Sequence, residues 1–361
     1  MDNIIDKIVK RFDSEDTVKF SEKSIYDKDG FWVFTGSPVM EYNLGILGYP
    51  AGIVELSGMS KSGKTTLALA AMRAFQKHNP EGICVILSSE NRDNKLYAEA
   101  MGIDTTKVII IKTRFVETMF FKLQGLLKEV NSLWSEEKLP GKPKVFVMWD
   151  SLGATLSVAE KKAFDKNAAL MESGEVEDDS KKLKNAQLGA FSKNAKMGAK
   201  MILAQLFEMD ISFIILNHRY DNIGVVPGTT STGGHWIEFL PSLRLELKFH
   251  QWVKVGDEEV GQITKVKVDK NDYGSRRPTY IEILLGKGLV LTEEDIEYAV
   301  EKGILKKEGK TGVSFMGDKL KWTTKRTFYQ HYLDNNKLLP ILTNKILKER
   351  HNDTMLEKGL I

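Results

Sequence analysis

Eight consecutive residues carry the plainest chemistry in this sequence. Gly58, Met59, Ser60, Lys61, Ser62, Gly63, Lys64 and Thr65 follow the spacing G-x-x-x-x-G-K-[ST] of a phosphate-binding loop. Its two glycines permit backbone angles and close approaches that a Cβ would obstruct. Lys64 is placed to reach the β- and γ-phosphates of a nucleotide, and the Thr65 hydroxyl to hold Mg²⁺, with Thr66 next to it. An apolar run, residues 53–56, precedes the loop, and a run of good helix formers, 66–77, follows it. Strand, loop and helix in that order aim backbone N–H groups and a helix N-terminus at one spot, which suits a polyphosphate.

A binding loop alone sets no reaction. Hydrolysis also needs an acid at a metal and a base for water. The apolar run 145–149 ends in Asp150, which either holds Mg²⁺ at the C-terminal edge of a parallel sheet or caps a turn with Ser151. Glu90 follows the apolar run 83–87 at the same edge. It either orients and deprotonates an attacking water or is an exposed loop carboxylate. Asn217 and His218 end the run 211–216, where they sense a γ-phosphate or serve only the structure.

These groups need a scaffold to bring them together. Strands at 53–56, 83–87, 108–111, 145–149 and 211–216 alternate with helices at 66–77, 93–101, 116–134 and 185–208. Continuous apolar strands between helices predict an α/β fold with a doubly wound, largely parallel sheet covered on both faces. Later runs at 243–249, 263–268 and 280–285 have a period of two and predict antiparallel strands extending that sheet. Two irregular stretches, 172–184 and 219–234, interrupt the pattern and predict functional loops.

The flanks read differently. Residues 1–30 carry an apolar stripe at positions 4, 5, 8, 9 and 12, a helix too short to stand alone, which must pack on its own core or on a neighbouring subunit. Residues 292–361 predict a separate small unit: a helix capped by Thr292, a hairpin at 315–322, and helices at 323–335 and 341–350. Its cluster Lys319, Lys321, Lys325 and Arg326 is either a solvated face or a nucleic-acid contact. A net charge of +3 permits a nucleic-acid partner without requiring one. The lone Cys84 excludes a disulfide within the chain and suits a reducing cytosol. The start, MDNIIDKIVKRF, lacks the apolar core of a signal peptide, and no apolar run approaches the ~18 residues of a membrane span.

Together these features resemble the RecA family of recombinases, including phage relatives of the UvsX type, collinearly over residues 31–291. The segment from Thr35 to Gly45 is similar to the family's approach to the phosphate loop. The resemblance implies a RecA-like ATPase core at 31–291, an N-terminal oligomerisation arm at 1–30 and a small α+β C-terminal domain at 292–361. It makes Glu90 the catalytic glutamate, Tyr97 the ring that stacks on adenine, and Asn94 the residue facing the adenine edge. Asp150 and Ser151 match the second nucleotide motif. Asn217 and His218 match the Asn-Gln that opens a second DNA-binding loop at 218–234, with His218 as γ-phosphate sensor. In that loop Arg219, Ile223 and Gly224 would contact single-stranded DNA, and Thr232, Gly233 and Gly234 close it. Leu188 and Gly189, then Lys193 and Lys200, are similar to the first DNA-binding loop, about 172–190, and the basic helix behind it. Phe239 matches a subunit-interface aromatic, and Lys270 a lysine that reaches the neighbour's ATP. A second such lysine is Asp272 here, so Lys270 acts alone or Arg276 or Arg277 substitutes.

The resemblance thus implies a DNA-dependent ATPase using ATP and Mg²⁺. It would form helical filaments of its own copies on single-stranded DNA and exchange strands with a homologous duplex. Loader or mediator proteins and single-strand-binding proteins are further candidate partners, and the setting is the cytoplasm of a bacterial or phage-infected cell, at the nucleoid. The alternatives are a ring helicase or motor on the same core, or a nucleotide-gated mediator that barely hydrolyses.

Overall fold

Each apolar run expected to be a central strand is one, in a computed structural model that describes residues 30–90, 95–172, 189–221, 229–309, 312–321 and 338–357. A short ribbon, β1 (Trp32–Val33) paired with β2 (Tyr49–Pro50), brackets helix α1 (Pro38–Leu44) and leads into the sheet. The parallel strands are β3 (Gly52–Gly58), β4 (Ile83–Ser88), β5 (Val108–Lys112), β6 (Lys144–Asp150) and β7 (Asp210–Asp221). Their spatial order, β5-β4-β6-β7-β3, continues through β9 (Leu243–Val255), which also pairs parallel with β3. Antiparallel β10 (Glu258–Asn271), β11 (Thr279–Leu284) and β12 (Gly288–Val290) complete that side.

Helices cover both faces, which is why the strands read as continuous apolar runs. One apolar cluster joins Leu67, Met72 and Phe75 of α2 (Lys64–His78) to Val54, Leu216 and Leu245 of the sheet. The opposite cluster joins Phe120 and Leu127 of α4 (Val116–Glu136) and Ala195 and Ile202 of α6 (Ala190–Gln205) to Val147, Trp149 and Phe213. The short α3 (Lys95–Ala100) lies between β4 and β5. Parallel pairing puts the C-terminal ends of these strands at one edge. There Gly58 is level with His218, and Ser88 with Asp150.

The structure departs from expectation in several places. A helix, α5 (Val158–Glu172), stands where none was expected; charged residues and alanines are mixed along its sequence, which shows no clear apolar stripe. The stretch 219–234 is not wholly irregular, because β7 runs through Asp221 and pairs antiparallel with β8 (Thr229–Ser231). The β-branched Thr229 and Thr230 favour that extension. The described part of the helix expected at 185–208 ends at Gln205. The expected arm at 1–29, the helix at 323–335, and Asn94, Leu188, Ile223 and Gly224 lie outside the described residues.

The C-terminal part of the chain holds a small apolar cluster of its own, including Leu291, Ile296, Phe315 and Ile346. After the four-residue α7 (Trp236–Phe239) the next helix is α8 (Glu293–Glu301), which opens with a reciprocal capping box between Thr292 and Asp295. Strands β13 (Lys306–Glu308), β14 (Gly312–Phe315) and β15 (Asp318–Lys321) form the expected hairpin with one further strand, and α9 (Leu338–Glu357) follows. The buried Arg350 joins this unit to the core: its guanidinium lies 4.8 Å from the Tyr42 ring and 4.1 Å from the Tyr298 ring, and 3.5 Å from Asp295. No helix among the described residues is long and apolar enough to cross a membrane.

Candidate functional site

The loop after β3 has the geometry its glycines require. Gly58 has φ 155°, and a Cβ there would come within 2.3 Å of the Leu247 carbonyl oxygen. Gly63 has φ 94°, and a Cβ would meet Ile283 at 2.4 Å. The loop is braced from β10: Gln262 Nε2 donates to the Lys61 carbonyl at 3.1 Å, and the Thr264 hydroxyl to the Ser62 carbonyl at 3.2 Å. Lys64 Nζ donates to the carbonyls of Gly58 and Met59 at 2.9 and 2.7 Å. Burial lowers its pKa to about 8, against the pull of Asp150 and Glu90.

Three strand ends meet beside the loop. The Thr65 hydroxyl lies 3.3 Å from Asp150 Oδ2. Burial, then the nearby Glu90, lift the Asp150 carboxyl from its ordinary 3.8 to about 6, while Thr65, Lys64 and His218 hold it down. Glu90 Oε1 accepts a hydrogen bond from the Ser151 hydroxyl at 2.8 Å, and His218 Nε2 lies 3.3 Å from the same oxygen. Ser89 Oγ accepts from Ser151 N and donates to the Ser151 carbonyl, which ties the end of β4 to the end of β6. A cavity of about 390 Å³ opens here, with Thr65, Glu90 and Asp150 on its polar side and Leu69, Ile86 and Tyr97 among its apolar walls. The Tyr97 hydroxyl is 2.7 Å from Thr66 Oγ1.

These residues fit a nucleoside triphosphate with Mg²⁺. A glycine-walled loop at a helix N-terminus offers backbone donors to phosphates. One hydroxyl and one carboxylate form a sparse donor set, as suits Mg²⁺, which keeps waters and takes phosphate oxygens. Among the described residues no cluster of three or more His, Cys, Asp or Glu offers a metal cage.

The described residues that flank the expected DNA loops meet at the same edge. Asn217 Nδ2 donates to the Thr232 carbonyl at 2.7 Å and to Glu55 Oε1 at 2.8 Å. Ser192, in the first turn of α6, donates to the Gly233 carbonyl at 2.8 Å, so the described start of one loop element touches the end of the other. Gly234 is exposed just beyond, its φ at 76°. Lys193, Lys196 and Lys200 are exposed on one side of α6. Arg219 is a correction. Instead of facing outward, its guanidinium is turned into the sheet against Glu246 and Asp269, and only 10% of the side chain is exposed.

The expected interface residues stand apart from the loop. Lys270 Nζ donates to the carbonyls of Phe239 and Pro241 at 3.0 and 2.9 Å and lies 3.2 Å from Asp272. Phe239 is 71% exposed, and Arg276 and Arg277 are exposed with it. Within one chain the structure brings Lys64, Thr65, Glu90, Asp150 and His218 together and leaves Lys270 outside.

Sequence reasoning passed over Gln262 and Thr264, the brace residues. Their one signal was two polar residues at alternate positions ahead of the alternating Val266 and Val268 of the same strand.

Comparisons with known proteins show what the chain is similar to. The family model described as the RecA N-terminal domain matches residues 1–123 and 159–290. The RecA protein of Bacteroides thetaiotaomicron is 28% identical over 309 residues, covering 84% of this chain and 83% of that protein. The RecA protein of Chloroherpeton thalassium is 32% identical over 292 residues, 80% of this chain and 72% of that one. The RecA protein of Porphyromonas gingivalis is 27% identical over 322 residues, 88% and 85%.

Proposed function

This chain belongs to the RecA family, and on that premise we propose that it is an ATP-dependent recombination and repair protein. In this reading it polymerises as a helical filament on single-stranded DNA, hydrolyses ATP when bound there, and pairs and exchanges that strand with a homologous duplex. The observation that carries the reading is the contact between His218 and Glu90: a residue at the root of the β7–β8 hairpin touches the carboxylate placed to activate water. A change at the hairpin therefore reaches the hydrolytic group without an intermediary.

The residues divide the work. Bound Mg²⁺ would neutralise phosphate charge, held by Thr65 and Asp150. Lys64 leaves the loop carbonyls for the phosphates. Glu90, oriented by Ser151, takes the proton of the attacking water. Tyr97 presents its ring to adenine. His218 reports the γ-phosphate to the hairpin. Lys193 and Lys200 on α6, with 232–234 and the hairpin tip, serve DNA, where phosphate neutralisation makes binding salt-sensitive and nearly independent of sequence. Phe239 and Lys270 lie on the face that meets the next subunit, where Lys270 would reach a neighbour's nucleotide. Residues 1–30 act as the arm of that contact, 31–291 as the ATPase core and 292–361 as a separate domain. The likeness to the UvsX type rests on His218, an imidazole at a position where the family carries glutamine.

Electron microscopy with single-stranded DNA and a non-hydrolysable ATP analogue tests the assembly. Open helical filaments are expected; closed rings would contradict the reading.

A further inference from the structure

His218 and Arg219 are neighbours on one strand, so their side chains leave it on opposite faces. His218 goes to the hydrolytic site. Arg219 goes to a polar network that the function described so far does not use. Its Nε donates to Ser57 Oγ at 2.9 Å, its Nη1 lies 3.3 Å from Glu246 Oε1, and its Nη2 donates to Asp269 Oδ2. Ser57 immediately precedes Gly58 of the phosphate loop, and its hydroxyl donates onward to the Leu245 carbonyl at 3.2 Å. Lys267 bridges the two carboxylates, at 3.5 Å from Glu246 and 3.3 Å from Asp269. One guanidinium thus spans β3, β9 and β10. A planar fork of five donors can serve a hydroxyl and two carboxylates at once, whereas a lysine ammonium is a point charge.

The backbone explains why an anchor is needed at this residue. The pairing of β7 with β3 ends at Gly58 opposite His218, and its pairing with β6 ends at Ile215. From Arg219 to Asp221 the recorded strand partner is β8 alone. The hairpin stem therefore projects past the sheet, and Arg219 is the first residue of the projection. A two-stranded stem has little stability of its own.

We propose that Arg219 is a positioning residue: it clamps the root of the β7–β8 hairpin to the end of β3, so that movement of the phosphate loop and movement of the hairpin are coupled. This rests on the reading of the hairpin as a DNA element. It predicts the reverse of what a direct DNA contact would give. If the clamp acts through Asp269, then losing that carboxylate must uncouple the site even though Asp269 does not touch nucleotide.

The test compares Asp269→Asn, Asp269→Glu and Arg219→Lys with the parent protein. ATP hydrolysis is measured with and without single-stranded DNA, together with DNA affinity across a salt series. Amide hydrogen exchange of Thr229–Ser231 is measured with and without a non-hydrolysable ATP analogue. For Asp269→Asn the expected result is a DNA-free rate and a KM for ATP close to the parent's, with DNA stimulation reduced about fivefold or more, the lower end of ordinary coupling. Nucleotide-induced protection at Thr229–Ser231 is lost with it. Asp269→Glu restores both, and Arg219→Lys, which keeps the charge and loses the fork, behaves like Asp269→Asn. The proposal is overturned if Asp269→Asn keeps full stimulation and protection. It is also overturned if Arg219→Lys changes only DNA affinity and its salt slope, as a phosphate contact would. Should Asp269→Asn lower the thermal midpoint, Arg219→Lys, which keeps a cation opposite both carboxylates, carries the comparison. A parent protein without DNA stimulation would contradict the proposed function, and the exchange measurement would still decide the coupling.

Discussion

Glu90 Oε1 accepts the Ser151 hydroxyl and lies within reach of His218, while Asp150 sits buried beside the same group. Such crowding of acids is unfavourable until cations join it, and the sign can be worked out. Asp150 is held near pH 6 in the fold against 3.8 ordinarily. Well below pH 4 it is neutral folded or unfolded; as pH rises from about 4 to about 6 the unfolded chain ionises first, so stability falls through that window and stays lower above it. At about 1.4 kcal/mol for each pH unit between the two values, the loss is about 3 kcal/mol at most. Asp150→Asn should therefore raise the nucleotide-free protein's thermal midpoint at pH 7.5 and flatten its fall between pH 4 and 6, while Mg²⁺-dependent turnover disappears. A lower midpoint, or turnover near the parent's, would count against the assignment. The spacing of Gly58 to Thr65 made these residues legible in the sequence, because the loop pattern is long and its roles follow from it. The inward turn of Arg219 was not legible: it depends on two carboxylates 27 and 50 residues downstream, and nothing local points to them.

At the scale of elements, β10 matters more to the nucleotide than the sequence suggested. The strand reads as a plain antiparallel extension, yet Gln262 and Thr264 hold the carbonyls of Lys61 and Ser62. Each such bond contributes about 1 kcal/mol. Replacing Gln262 by Ala or Thr264 by Val should weaken ATP binding about fivefold in titration calorimetry and leave the helix content unchanged. Unaltered affinity in both variants would show that the loop keeps its shape without the brace. Most strands of the central sheet were legible because burial on both faces leaves a mainly apolar run, whereas the edge strand β5 reads as apolar although Ile109 and Ile110 are exposed. Helix α5 was not legible, because its mixed charged and alanine-rich sequence shows no stripe, and β8 was not, because three residues, two of them β-branched, are too short a run to be read as a strand without the pairing to β7.

Across the whole molecule, one cation joins the C-terminal unit to the core. Arg350 is buried between Tyr42 and Tyr298, and Asp295, which burial raises to about pH 6, depends on it for countercharge. Removing one partner of a buried pair typically costs about 3–5 kcal/mol. Arg350→Met should lower the thermal midpoint by several degrees and expose the seam around 290–292 to limited proteolysis; cleavage unchanged from the parent would mean that the unit is held by other contacts. The exposed Phe239 and the Lys270 beside it belong to this scale too, since a single chain gives neither of them a role at the phosphate loop.

The central claim is that one site both breaks ATP and feels DNA, through Glu90 and His218. The rate of ATP hydrolysis with Mg²⁺, measured with and without single-stranded DNA, tests it most directly. A clear rise in rate on adding DNA is expected, abolished by Lys64→Ala. An unchanged rate in a protein that still binds ATP would contradict it.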